Sequence, residues 1–379
     1  MLRPSLLLGA LLVAGPLAAQ SDARVRQQLD SALSALEAKG FSGVVRVDRD
    51  GTTLLKKGYG LANRAEHIPF SPQTVVQIGS NTKDFTIVAL LQLYERGKLK
   101  IGDSLAKFFP AAPPDKRAIT LWQLANHTAG FPIGLGGDFD QVTRQQFIDL
   151  AMKRPLLFAP GKGEQYSNTG FALLAAVIEQ VSGQTYDEYV RDHILAPLGM
   201  KNTGLLLPRF DVKRLAHGYR NGADMGDMLE KPHAADGPYW NLRGNGGMLS
   251  TVDDMATFYH ALLETNTLLK PETRALRFNP NEPLGLAGSD LVNFFLYDRF
   301  PRAHTEILIA TNSAEFGGQP VRAAIGAILG LPSPDGGPTV ARAARANATP
   351  PTPAIAATIR DFVTALNAAD STKLVTFIA

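Results

Sequence analysis

Apolar residues recur over residues 25–39 at Val25, Leu29, Leu33 and Leu36, the spacing that lays one stripe along a helix. Two aliphatic runs, residues 43–47 and 52–55, flank Asp50-Gly51, and that dipeptide predicts a hairpin. A longer helical pattern covers residues 80–96 and stops at Gly97, a residue type that readily takes the left-handed conformation beyond a helix end. Helical spacing then governs residues 143–153, 169–182, 186–194 and 251–264. The last third returns to strands. Residues 292–297 and 305–310 are apolar or β-branched, and the charged stretch 298–303 is expected to turn between them. A further helix is expected over 319–329. Strands near both ends with helices between them predict an α/β (α+β) fold: one antiparallel sheet built from N- and C-terminal strands, flanked by helices, with a helical insert.

The two ends of the chain break this pattern. Arg3 precedes an apolar run over residues 6–13, and the small Ala18 and Ala19 lead into a polar stretch. The run is too short to span a bilayer, and its order (basic, apolar, small) is that of a secretory signal peptide over residues 1–20. Export to the periplasm or the medium is expected, with no membrane span after signal removal. From Pro332 the composition shifts to a Pro/Ala-rich linker over 332–353. Residues 354–379 read as an incomplete C-terminal segment, too small to hold a core of its own. The main domain is therefore expected over residues 21–331.

Composition narrows the chemistry. With 45% apolar and 19% charged residues, the chain can bury a large core. Its 38 basic residues nearly balance 35 acidic ones, so charge gives no argument for a nucleic-acid partner. There is no cysteine, which excludes disulfides, thiolate metal sites and thiol nucleophiles. The seven histidines include no pair at ligand spacing, and no glycine-rich loop fits a nucleotide fingerprint, so neither metal nor cofactor is expected.

Two short motifs carry candidate chemistry. In Ser80-Asn81-Thr82-Lys83, a spacing of three puts the lysine amine over the serine hydroxyl on one helix face. A serine becomes nucleophilic when a base takes its proton, and a lysine kept neutral by burial can do so. The same spacing recurs at Ser104 and Lys107, so it does not decide by itself. In Tyr166-Ser167-Asn168, a phenol lowered in pKa by a nearby ammonium could carry the proton, and the asparagine could orient the lysine. Tyr219-Arg220-Asn221 and Tyr239-Trp240-Asn241 repeat that pattern.

The surrounding text separates these copies. It includes Gln77-Ile-Gly-Ser-Asn-Thr-Lys83, Leu124-Ala-Asn-His-Thr-Ala-Gly-Phe131, Pro160-Gly-Lys-Gly-Glu-Gln-Tyr-Ser-Asn-Thr-Gly170 and Gly246-Gly-Met-Leu-Ser-Thr251. In order and spacing over residues 30–330, the chain resembles the serine β-lactamase-like family: class C β-lactamases, DD-peptidases (penicillin-binding proteins) and related esterases. The resemblance implies an acyl-enzyme mechanism with Ser80 as nucleophile and Lys83 and Tyr166 as proton carriers. Asn168 would hold Lys83 and the substrate, while His127 and Gly130 would shape a loop. It also implies a substrate-binding strand carrying Lys-Thr-Gly or His-x-Gly. Here the only match is Leu286-Ala287-Gly288-Ser289, with leucine in place of the cation. Either residues are missing before it, or residues 285–288 are an earlier strand and the motif is lost. Gly288 and Ser289 are taken, with Asn168, as substrate-binding residues; His304 is a disfavoured substitute for the missing side chain, because it falls in the expected turn between strands. The expected substrate is a small ester, amide, β-lactam or peptide, with esters and amides favoured. The alternative is a catalytically impaired homologue that binds cell-wall peptide or a protein partner.

Overall fold

The computed structural model describes residues 15–205, 209–231, 239–289, 292–313 and 316–332, with side chains from residue 21 onward. The chain divides into a unit over Met1–Pro338 and a second over Thr339–Ala379. Most of the signal segment, nearly all of the expected linker and residues 354–379 lie outside the described residues. Among the described residues no helix is long and apolar enough to cross a membrane.

Helix α1 spans Gly15–Glu37, so it begins ten residues before the expected start and runs through the position expected for signal cleavage. Strands β1 (Gly43–Arg49) and β2 (Thr52–Tyr59) form the expected hairpin. Asp50 and Gly51 have φ of 51° and 73°, which a two-residue turn of this hand requires. Helices α2 (Thr82–Glu95), α3 (Arg144–Lys153), α4 (Asn168–Ser182) and α5 (Val252–Glu264) make up the helical body. Three of them start at side-chain caps, Thr143, Ser167 and Thr251. Each cap satisfies an otherwise orphaned backbone N–H and typically contributes about 1 kcal/mol. The segment expected as one helix over 186–194 is a short α-helix, Tyr186–Val190, that widens into a π-turn over Arg191–Leu195.

Strands β3 (Leu284–Ser289), β4 (Phe294–Phe300) and β5 (Thr305–Thr311) then complete one antiparallel sheet in the order β2-β1-β5-β4-β3, and helix α6 covers Gln319–Leu329. Both ends of the chain thus supply the sheet. Gly43 pairs with Thr311 and Arg49 with Thr305, which fixes the seam between them. The expected turn over 298–303 is shorter than its charge suggested. Asp298, Arg299 and Phe300 belong to β4, because Arg299 pairs across to Glu306 and Asp298 meets Arg322 of α6. Neutralised in pairs, these charges stay in the sheet.

Each sheet face is buried against a different layer. Val45, Val47, Leu296, Ile307 and Ile309 pack with Leu29 and Leu33 of α1 and Val321 and Ile325 of α6. Val44, Phe295, Tyr297, Leu308 and Ala310 face the helical body. Burial on both faces explains why these strands read as near-continuous apolar runs rather than alternating ones. Helix α4 runs through the centre of the body, with Thr169 through Ile178 all buried.

Candidate active site

Gly79, at φ 51°, opens a single 3₁₀ turn, Gly79–Asn81, that leads into α2. Ser80 lies in this turn and does not cap the helix. Its Oγ is 3.1 Å from Lys83 Nζ and 2.6 Å from Tyr166 Oη. The spacing of three therefore does what helical geometry predicts, and a residue 86 positions away completes the group. None of the three alternative copies forms such a site. Lys107 pairs with Asp103, the Tyr219 hydroxyl accepts from the Arg64 N–H, and the Tyr239 hydroxyl donates to the carbonyl of Met228.

Lys83 is buried, and its amine touches three oxygens: Ser80 Oγ, Asn168 Oδ1 at 2.8 Å and the main-chain carbonyl of Asn245 at 2.7 Å. An ammonium can donate to all three. A neutral amine can donate to the two fixed acceptors, Asn168 and Asn245, and accept from the Ser80 hydroxyl. The amine can thus exchange a proton with Ser80 without moving. Burial brings the Lys83 pKa from 10.5 down to about 7.

The Tyr166 phenol behaves differently from the expectation. Its pKa is raised to about 12, chiefly by desolvation, although the residue as a whole is 40% exposed. Because the lysine beside it is itself pushed towards neutrality, no strong cation pulls the phenol down. Tyr166 is therefore a neutral proton donor near pH 7, and Lys83 is the group that can serve as base.

The loop below holds Tyr166 in place. The His127 ring centroid lies 4.6 Å from that of Tyr166 and 5.2 Å from that of Phe171, and Nδ1 accepts the Ser167 N–H at 3.1 Å. Burial pushes the His127 pKa down to about 3, so this histidine is a neutral acceptor. Gly130, at φ 87°, lets the same loop pass the carbonyl of Phe158, which a Cβ would approach to 2.3 Å. Ser167 caps α4 by accepting the Gly170 N–H. Asn168, the first residue of α4, is left free to reach Lys83.

Asn245 is the site residue that sequence reasoning missed. Its side chain is buried and donates to the carbonyls of Asn241 and Arg243, which turns its own carbonyl towards Lys83. The adjoining glycines, Gly244, Gly246 and Gly247, were the only available signal of a constrained backbone path there.

The opposite wall is β3. A Cβ on Gly288 would lie 2.1 Å from the Ile78 carbonyl and 2.5 Å from the Ser80 nitrogen, and one on Gly79 would lie 2.5 Å from the Ser289 nitrogen. The two backbones touch, and only glycine fits on either side. Gly288 and Ser289 thus lie against the Ser80 turn, so this edge strand stands where the resemblance leads one to expect the third motif, with Leu286 in the cation position. Leu286 packs on the helical-body core as a partly buried side chain. His304 is no substitute. It lies beyond the far end of β4, where its carbonyl accepts the Asp50 N–H, and the Phe294 end of that strand meets Ser289. The seven residues of β4, six steps of rise, put about 20 Å between those ends.

The Beta-lactamase family model matches residues 22–289. The chain belongs to the Beta-lactamase family. Penicillin-binding protein 4* of Bacillus subtilis (strain 168) is 29% identical to it over 265 residues, covering 65% of this chain and 57% of that protein. This chain spans little more than half the length of the first curated relatives it matches. Among solved structures, FmtA from Staphylococcus aureus superposes with a TM-score of 0.68 at 23% identity, covering 80% of this chain and 89% of that one. The class C beta lactamase from Rhodobacter sphaeroides gives 0.65 at 20% identity, covering 80% and 98%. These likenesses extend the family's fold over the sheet and the helical body.

Proposed function

We propose that this family member is an exported serine hydrolase that acts through an acyl-enzyme on Ser80. Ser80 Oγ attacks a carbonyl carbon while its proton passes to Lys83 Nζ, whose other two hydrogens already point at Asn168 and Asn245. The tetrahedral oxyanion meets the Ser80 N–H and the backbone beside Ser289. Donors of this kind are typically worth about 3 kcal/mol each. Neutral Tyr166 gives its proton to the departing oxygen or nitrogen, and the Lys83 ammonium restores it. Water then repeats the sequence on the acyl-enzyme and releases the acid. The observation that carries this reading is the simultaneous contact of Ser80 Oγ with Lys83 Nζ and Tyr166 Oη.

Small esters and amides are the proposed substrates, because Leu286 offers no charge for a substrate carboxylate. Export rests on Arg3 and the apolar run over residues 6–13. Leu286 also favours one competing reading, a catalytically impaired homologue that binds cell-wall peptide or a protein partner. A serine-reactive fluorophosphonate separates the two. Labelling at Ser80 that is lost in Ser80→Ala and kept in Ser104→Ala supports the hydrolase. Peptide binding by a folded protein that never labels supports the other.

A further inference from the structure

Directly behind the nucleophile turn lies a buried group that the mechanism above does not use. Asn81, next to Ser80, is 2% exposed, and its Nδ2 donates to the carbonyls of Ile78 at 3.0 Å and Phe295 at 3.4 Å. Carbonyls only accept, so the amide cannot be flipped, and Oδ1 must face the Tyr259 hydroxyl at 3.2 Å. The same hydroxyl lies 2.9 Å from Asp84 Oδ2. Tyr259 is fully buried and stacked on Tyr297 with ring centroids 3.8 Å apart, so it cannot swing to another partner.

Proton counting decides the state of this group. If Asp84 is a carboxylate, two acceptors face one phenol that has one hydrogen, and one buried oxygen pair is left without a proton between them. If Asp84 carries a proton on Oδ2, it donates to Tyr259 Oη, which donates on to Asn81 Oδ1. Every contact is then a hydrogen bond.

We propose that Asp84 is a positioning residue for the Ser80 reaction: a neutral carboxylic acid that, through Tyr259 and Asn81, fixes the nucleophile turn and denies Lys83 a counter-ion. This rests on the hydrolase reading for its consequence, though not for its chemistry. The proton concerned can sit on Lys83 or on Asp84 with the same total charge, and the hydrogen-bond pattern selects Asp84. The amine is thereby left with the lone pair that Ser80 needs. Besides Lys83 and Tyr259, the charged group facing Asp84 is Arg277. Burial outweighs the pull of all three and raises the carboxyl well above the usual carboxylate range. The pull of Lys83 vanishes once that amine is neutral.

Infrared difference spectroscopy between wild type and Asp84→Asn tests the protonation directly, with no substrate. A carbonyl stretch of a protonated carboxylic acid at neutral pH, present in wild type and absent in the variant, is expected. Asparagine can donate to Tyr259 as the acid does, whereas alanine cannot. Fluorophosphonate labelling should therefore slow on the order of tenfold in Asp84→Ala, the loss of one buried hydrogen bond, and be largely restored in Asp84→Asn. The acidic limb of the labelling rate should stay in place in Asp84→Asn. A missing acid band, an asparagine variant as slow as alanine, or a limb moved to lower pH would overturn the proposal. If Ser80 never labels, the hydrolase reading fails while the infrared band still decides the state of Asp84.

Discussion

The main-chain carbonyl of Asn245 lies 2.7 Å from the Lys83 amine, nearer than either side chain that the amine also touches. A carbonyl cannot be ionised or rotated away, so one hydrogen of Lys83 is committed whatever its charge. With Asn168 taking a second, only the third position can change between donor and acceptor. That position faces Ser80. The amine is thus aimed by backbone as much as by side chains.

Acylation should therefore follow the charge of Lys83. Its pKa falls from 10.5 to about 7 through burial, and below about 7 the ammonium has no lone pair for the Ser80 proton. The fluorophosphonate labelling rate should rise as pH increases through that value and level off above it. Stability should move in the same direction. A buried ammonium penalises the fold at low pH, and the penalty fades as pH rises from about 7 towards 10.5. A labelling rate that is flat across neutrality would remove Lys83 as the base.

Tyr166→Phe should slow acylation by a factor on the order of a hundred or more, the usual size of a lost general-acid contribution. It should leave the acidic limb where it is, since the phenol is held near 12 and does not titrate there. Lys83→Ala should cost as much, and the double variant little more, because in the proposed mechanism the two groups move one proton in sequence. Steady-state ester hydrolysis by the four proteins checks this. Losses that multiply would mean two separate roles.

Gly288→Ala places a Cβ 2.1 Å from the Ile78 carbonyl and 2.5 Å from the Ser80 nitrogen, both backbone atoms that cannot step aside. Overpacking of this kind typically costs about 1 to 3 kcal/mol. Ser80 labelling should fall at least tenfold, with a lowered thermal midpoint. Ala287→Gly, on the other face of β3, should not slow labelling comparably. Equal labelling by Gly288→Ala and wild type would contradict the contact between β3 and the Ser80 turn.

What could be read in the chain follows from which interactions leave a local trace. Ser80 and Lys83 are legible because one helix turn sets their distance, and the hairpin is legible because Asp50 and Gly51 suit its turn. Asn245 was not, because it acts through a carbonyl that every residue type carries. The phenol shift was misjudged because its sign depends on whether the neighbouring lysine is solvated. Strand β3 was ambiguous because Gly285 and Gly288 weaken the strand pattern, and only contact with Gly79 explains Gly288. Asp298 and Arg299 look like a turn until their partners, Arg322 and Glu306, are brought alongside by the fold.

Leu286 should set the substrate range. It stands on the strand that touches the Ser80 turn, two residues before Gly288 and therefore on the same sheet face. Leucine can pack an apolar substrate group but cannot hold a carboxylate. A charge-assisted hydrogen bond contributes about 1.5 to 3 kcal/mol, so its absence should weaken carboxylate-bearing substrates by roughly ten- to a hundred-fold. The proposed oxyanion donors are backbone N–H groups and do not depend on residue 286. Activated esters should therefore still acylate Ser80, and a short-chain p-nitrophenyl ester should be turned over faster than nitrocefin or penicillin. Leu286→His should raise the β-lactam rate relative to the ester rate, because it restores a donor without disturbing Gly288. Measuring both rates in both proteins decides the matter. Penicillin turned over faster than the ester by the unaltered protein would put the carboxylate anchor elsewhere than β3.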